Sequence, residues 1–154
     1  MSVHLQHRRL LLAAGLTALS MPLWANKVRT TIQVWKDPNC GCCKDWVVHL
    51  EQAGFRVNVQ DTGNAEARKR LGISEALGSC HTAEVAGYAI EGHVPAKDIQ
   101  RLLRERPLAL GIAVPGMPVG SPGMDGPIYK GRKDPYDVVL IAKNGSTSIF
   151  QSYR

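Results

Sequence analysis

Apolar and polar positions along this chain fall into short runs of two kinds, alternating and helical. From Arg29 to Trp35 they alternate, with Ile32 and Val34 on one face, which predicts a strand. Asp37-Pro38-Asn39 predicts a turn, and Asn39 stands where it can cap a helix. From Cys42 to Ala53 the apolar positions Trp46, Val47, Leu50 and Ala53 recur at helical spacing, and Gly54 ends the run. Phe55 to Val59 predicts a second strand, so the segment reads as a β-α-β unit. Asn64 to Leu71 predicts a short helix capped by Asn64. Gly78-Ser79-Cys80-His81 predicts a loop, Thr82 to Ile90 one strand, and Glu91-Gly92-His93 a turn. Pro95 suits the first turn of a helix running to about Arg106, with Ile99, Leu102 and Leu103 inward. Gly111 to Gly126 is too rich in Gly and Pro for regular structure. Tyr136 to Ala142 and Ser146 to Tyr153 predict strands joined by Asn144-Gly145, a strong hairpin signal. The fold class is therefore α/β, a β-α-β unit followed by helices and a C-terminal β-hairpin. No internal repeat or low-complexity segment interrupts it.

The N-terminal segment follows neither pattern. His7-Arg8-Arg9 is a basic start, Leu10 to Leu19 is a short apolar run, and Leu23-Trp24-Ala25 fits a cleavage site. Residues 1–25 are therefore expected to be a cleaved signal peptide, leaving 26–154 as a single domain with one core. The apolar run is short for a membrane span, and no later segment replaces it. Arg8-Arg9 is compatible with the twin-arginine route as well as with general secretion. The protein is therefore expected to be exported, into a compartment that is oxidising. Loss of Arg8 and Arg9, from a segment with no acidic residue, lowers the formal net charge of +6 by two. The remaining basic residues are scattered among acids, with no basic stripe or aromatic platform. Nucleic-acid binding is not expected.

Cys40-Gly41-Cys42-Cys43 changes the picture most. Three thiols in four residues exceed what core packing uses. Thiolates are soft ligands for Cu(I), zinc and iron–sulfur clusters. Cys40 and Cys43 also have the C-x-x-C spacing of thioredoxin-like redox proteins. Soft-metal binding and thiol–disulfide exchange thus compete. The helix that starts near Cys42 turns its positive end toward the sulfurs, which favours thiolate. Cys40 and Cys43 are expected to converge on one site, with Cys42 facing a different side. A purely structural disulfide framework explains Cys80 but not the crowding, because neighbouring Cys42 and Cys43 pair only with strain.

Further candidates lie downstream. Cys80-His81, in a Gly/Ser loop, become ligand candidates beside the thiol cluster. Met117 and Met124 lie in a loop with few large apolar neighbours. A thioether suits Cu(I) and does not suit zinc, which tilts the choice toward copper. Methionine also fills cores, and that reading holds equal ground for Met124. His93, at a turn before Pro95, is a ligand candidate, whereas His49 reads equally well as a partly exposed helix residue. Asp37, Asp45 and Glu51 read as solvated charges. No G-x-S-x-G, Walker loop or H-E-x-x-H is present, so catalytic residues stay unassigned.

Trp35-Lys36-Asp37-Pro38-Asn39-Cys40-Gly41-Cys42-Cys43, followed by Trp46 and His49-Leu50, resembles the CopG-type family of periplasmic copper-resistance proteins. Cys80-His81, Glu91-Gly92-His93-Val94-Pro95 and the Val114-to-Met124 loop resemble that family's motifs in the same order. The resemblance spans about Thr31 to Lys143. It implies a thioredoxin-like fold and a cluster of several copper ions, Cu(I) or Cu(II), held by Cys40, Cys42, Cys43 and Cys80. His81, His93, Met117 and Met124 are the candidates to complete it. Copper ions and other periplasmic copper-handling proteins are the implied partners, with Cu(I)/Cu(II) redox handling as an implied role. The alternative is a thiol–disulfide oxidoreductase using Cys40 and Cys43. It leaves Cys42, Cys80 and the methionines without a role. A structural zinc module is the third reading, and adjacent Cys42-Cys43 is unlike its usual ligand spacing.

Overall fold

The computed structural model describes residues 29–154, so the expected leader at 1–25 lies outside the described residues. One mixed sheet of seven strands runs through the molecule, in the order 56–60, 31–36, 81–85, 88–91, 111–113, 136–141 and 147–153. Strand β1 (Thr31–Lys36) alternates as expected, with Ile32 and Val34 buried. Its last inward position is Lys36, whose buried ammonium is satisfied by Asp61 at 2.5 Å and by the Asp37 carbonyl at 3.1 Å. Helix α1 (Gly41–Gln52) then crosses over to β2 (Arg56–Gln60), which lies parallel to β1. The cap of α1 differs from the expectation. Cys40 occupies it, and its sulfur accepts the Cys43 N–H at 3.3 Å. Asn39 is committed to the preceding turn, where its own N–H donates to Asp37 Oδ1 at 2.8 Å.

Helix α2 (Ala65–Arg70) starts where expected, but the Asn64 side chain does not cap it. It donates instead to the Ser79 carbonyl and to Thr82 Oγ1, each at 3.1 Å. A 3-10 turn, Glu75–Leu77, follows. The single strand expected over 82–90 is two antiparallel strands, β3 (His81–Val85) and β4 (Tyr88–Glu91). The turn between them is Ala86-Gly87, both with positive φ. Alanine is not a turn signal, so the apolar run hides the reversal. His81 thereby moves from the expected loop into β3.

Helix α3 (Ala96–Glu105) buries Ile99 and Leu102 and leads to β5 (Gly111–Ala113), a strand inside the segment read as irregular. Here glycine marks a close approach rather than a loop. A Cβ on Gly111 would lie 1.8 Å from the Ala89 carbonyl oxygen of β4. The hairpin of β6 (Tyr136–Ile141) and β7 (Thr147–Tyr153) is as expected, with a bulge at Val138/Val139. Trp46 and Leu50 from α1 and Ile99 and Leu102 from α3 cover one sheet face, against Ile32, Val34, Ile90 and Ile112. Alternate strand residues Ala89, Ala113 and Ile141 face the other side, under Ile73. Among the described residues no helix is long and apolar enough to cross a membrane.

Candidate metal centre

The site sits where β1 ends and α1 begins. The Asp37 turn returns the chain sharply, and the Cys40 N–H closes it on the Asp37 carbonyl at 3.1 Å. Cys40 and Cys43 then lie on one side of the first helical turn and are joined by a disulfide. Cys42 does not face away. Its sulfur lies 3.5 Å from that of Cys40 and 3.8 Å from that of Cys80. All four sulfurs fall within 4.8 Å of one another. Cys80 reaches them because the loop before β3 is drawn beside the end of β1, where Lys36 pairs with His81 across the ladder.

Cys80 also belongs to a second group. Its sulfur is 3.0 Å from His93 Nε2 and 3.5 Å from His81 Nδ1. Each imidazole spends its other nitrogen on a carbonyl. His81 Nε2 donates to Gly92 at 2.9 Å, and His93 Nδ1 donates to Pro122 at 2.8 Å. A carbonyl only accepts, so the nitrogens facing the sulfur carry lone pairs. Second partners of this kind orient metal-binding histidines. Trp46 stacks on His81 at 4.2 Å and donates its indole N–H to the Val94 carbonyl. His81 meets His93 edge-on at 4.8 Å.

Burial decides the protonation states. It lowers the pKa of His93 and, with His93 nearby, that of His81 still further. Both rings are neutral, the form that binds metal. Burial, followed by the neighbouring Cys42, pushes the Cys80 thiol up to about 12. The Cys80 thiol is therefore protonated in the metal-free protein, although its sulfur lies beside the start of α1. A metal ion there must displace a proton.

The remaining candidates are spread around this centre. Met117 is exposed and lines a hollow of about 420 Å³ with Cys80, Arg68 and Gly116. Met124 is buried, and its sulfur accepts the Tyr129 hydroxyl at 3.4 Å. The loop between them packs on the start of α1. Gly123, with φ +84°, comes so close that a Cβ would lie 2.5 Å from the Cys42 carbonyl oxygen. His49 stands apart from the thiols. Its Nε2 accepts the Ala96 N–H at 3.0 Å and so caps α3, whose cap residue Pro95 offers no side-chain acceptor.

Sequence reasoning passed over Arg68, Ser79 and Glu91. Glu91 is fully buried, and Arg68 donates to it from Nε at 2.9 Å. Arg68 falls in the helix expected over 64–71 with no role assigned, and Glu91 in the expected Glu91-Gly92-His93 turn. Proximity to His93 was the one available signal for Glu91.

These buried groups make stability pH-dependent. His49, His81 and His93 all have lowered values, each mainly through burial. The unfolded chain then binds more protons than the folded one below about pH 6.5, so stability falls as pH drops through that value. Glu91, raised by burial, opposes this by favouring the folded state at acid pH. With three groups against one, metal-free protein is expected to melt lower at about pH 5.5 than at about pH 7. His49→Gln should flatten that slope in thermal unfolding. A melting temperature constant across the interval contradicts the assignment.

Comparison with known proteins agrees with the geometry. Residues 77–124 match a family described as "Protein of unknown function, DUF411". No curated protein matches the chain. The solved structure named "Copper resistance protein copG- Form 2" is similar at 47% identity, with 82% of this chain and 99% of that chain covered and a TM-score of 0.75. "Copper resistance protein copG- Form 1" is similar at 48% identity, with 81% and 98% covered and the same TM-score of 0.75. At that identity over nearly the whole of the relative, this chain belongs to the CopG family of copper resistance proteins.

Proposed function

We propose that this protein is exported to the periplasm, after removal of residues 1–25, and binds copper there in the service of copper tolerance. One observation carries the reading: four cysteine sulfurs lie within 4.8 Å of one another. Soft sulfur donors at that density favour Cu(I) over harder cations. Cys40, Cys42, Cys43 and Cys80 are the proposed thiolate ligands, with His81 and His93 on a second side of Cys80. Because Cys80 belongs to both donor groups, it would bridge, and more than one copper ion per chain follows. Relatives named copper resistance proteins support the metal assignment.

The strand order β2-β1-β3-β4, with α1 and α3 on one face, supports a thioredoxin-like core. A second reading rests on the Cys40–Cys43 disulfide at the start of α1. It makes the protein a thiol–disulfide oxidoreductase, or couples dithiol chemistry to the Cu(I)/Cu(II) state. Copper ions are the cargo, and other periplasmic copper-handling proteins are the proposed donors or acceptors.

Reduced protein purified from a periplasmic extract is expected to retain more than one Cu(I) in competition with zinc, and to begin at Asn26. Zinc preference or no retained copper overturns the copper reading, and an uncleaved N-terminus overturns the export reading. A reductase assay on the same sample separates the second reading.

The two methionines should behave differently. Met117, exposed beside the Cys80 hollow, is the available thioether. Met117→Ala is expected to weaken Cu(I) affinity about tenfold, or about 1.4 kcal/mol, with unchanged thermal stability. Met124 is buried, and its sulfur takes the Tyr129 hydroxyl. Met124→Ala is expected to cost about 2–5 kcal/mol of folding stability, as for a buried methionine. Chemical denaturation of both metal-free variants, with a Cu(I) titration, checks this. Equal stability of the two would refute it.

A further inference from the structure

Glu91 and Arg68 belong to neither donor group, yet both close on a single residue, Ser79, next to Cys80. Glu91 Oε1 accepts the Ser79 N–H at 2.7 Å. Arg68 Nη2 donates to the Ser79 carbonyl at 2.5 Å, and Asn64 Nδ2 donates to the same oxygen at 3.1 Å. Both peptide groups flanking Ser79 are therefore held. Arg68 and Glu91 are also held to each other, through Nε and Nη2 on Oε1, each at 2.9 Å. The other Glu91 oxygen takes the Thr82 hydroxyl at 2.6 Å, and Arg68 Nη1 reaches Glu75 at 3.1 Å. The Ser79 hydroxyl donates to the Gly116 carbonyl at 2.5 Å, and the Gly116 N–H returns to Gly78 at 3.1 Å. Ser79 thus joins α2, β4, the Cys80 loop and the arm that carries Met117.

A buried ion pair is weak evidence for stability, because desolvation offsets much of the attraction. Here its hydrogen bonds point at one loop residue. That loop has no ladder bonds of its own before β3 begins at His81. Together with the Asn64 amide and the Ser79 hydroxyl, the clamp fixes the residue next to Cys80, whose sulfur lies 3.0 Å from His93 and 3.8 Å from Cys42.

We propose that the Arg68–Glu91 pair, acting through Ser79, is the positioning element of the metal centre: it sets the Cys80 sulfur against Cys42 and His93 and ties the Met117 arm beside it. The proposal rests on the copper-binding reading for its affinity readout, and has a second readout that does not. Arg68→Lys keeps the charge but replaces the guanidinium fork, which spreads its donors over Ser79, Glu91 and Glu75, with a single nitrogen. It is expected to lower Cu(I) affinity about tenfold, within the range seen when partners of metal ligands are lost. It should also alter the thiolate-to-Cu(I) charge-transfer band. In metal-free, reduced protein it should speed alkylation of Cys80, read by mass spectrometry of the Cys80 peptide. Glu91→Ala should act in the same direction and more strongly. Glu91→Gln, which keeps an acceptor for the Ser79 N–H, should return to within about twofold of wild type.

Asn64→Ala removes the other donor to Ser79 without touching the ion pair, and should give a smaller shift of the same sign. Leu102→Ala, a buried change on α3, serves as the destabilised control and should leave the band and the alkylation rate unchanged. Circular dichroism identifies the folded variants. If Asn64→Ala and the folded clamp variants match wild type in both readouts, or if Leu102→Ala reproduces their changes, the proposal is overturned. If wild type fails to bind Cu(I), the copper reading falls, and the alkylation rates still decide the clamp.

Discussion

Cys42→Ser is expected to lower Cu(I) affinity of the reduced protein by about 100-fold or more, which is about 2.8 kcal/mol. Cys42 supplies the sulfur that stands between Cys40 and Cys80, at 3.5 and 3.8 Å. A serine hydroxyl is a hard, protonated donor and a poor substitute for thiolate on a soft ion. The side chain is partly exposed on the first turn of α1, so the fold should survive the change. A simple dithiol enzyme would lose little, because Cys40 and Cys43 would remain intact. Titration against a Cu(I) chelator, beside a disulfide-reductase assay, reads both consequences. Full copper loading by Cys42→Ser, with reductase activity dependent on Cys40 and Cys43 alone, would award the site to thiol exchange.

Reduction of the Cys40–Cys43 bond is expected to raise copper capacity about twofold or more. In the oxidised chain only Cys42 and Cys80 are free thiols. Two electrons and two protons, delivered by a dithiol reductant, convert the disulfide to two thiols. Four soft donors are then available instead of two, at a site where the sulfurs of the oxidised form already lie within 4.8 Å of one another. An exported protein meets an oxidising compartment, so this step would set whether it can load. The check is a Cu(I) titration of the oxidised and reduced forms, with free thiols counted in each. Equal capacity in the two forms would remove Cys40 and Cys43 from the ligand set.

Local signals and distant contacts divide the molecule clearly. Strand β1, helix α1 and the β6–β7 hairpin were legible because their periodicity and turn residues are written in consecutive positions. The break at Ala86-Gly87 and strand β5 were not. Alanine hides a positive-φ turn, and Gly111 belongs to a strand because the Ala89 backbone lies against it. The Asn39 cap failed because Cys40 occupies the cap position, where its sulfur accepts the Cys43 N–H.

The sequence by itself determined the chemistry: three thiols in four residues at a helix start, a Cys-His pair and a thioether-bearing loop define a soft-metal or dithiol site. Only the tertiary structure decided how these parts meet. The pairing of β1 with β3 brings Cys80 to the thiols, and the turn after β4 brings His93 to Cys80. Burial then sets the Cys80 thiol high and both histidines neutral. It also gave His49 to the cap of α3 and the Met124 sulfur to Tyr129. The physical reason is range. A ligand type is a property of one residue, whereas a ligand position depends on backbone hydrogen bonds and packing between segments far apart in the chain.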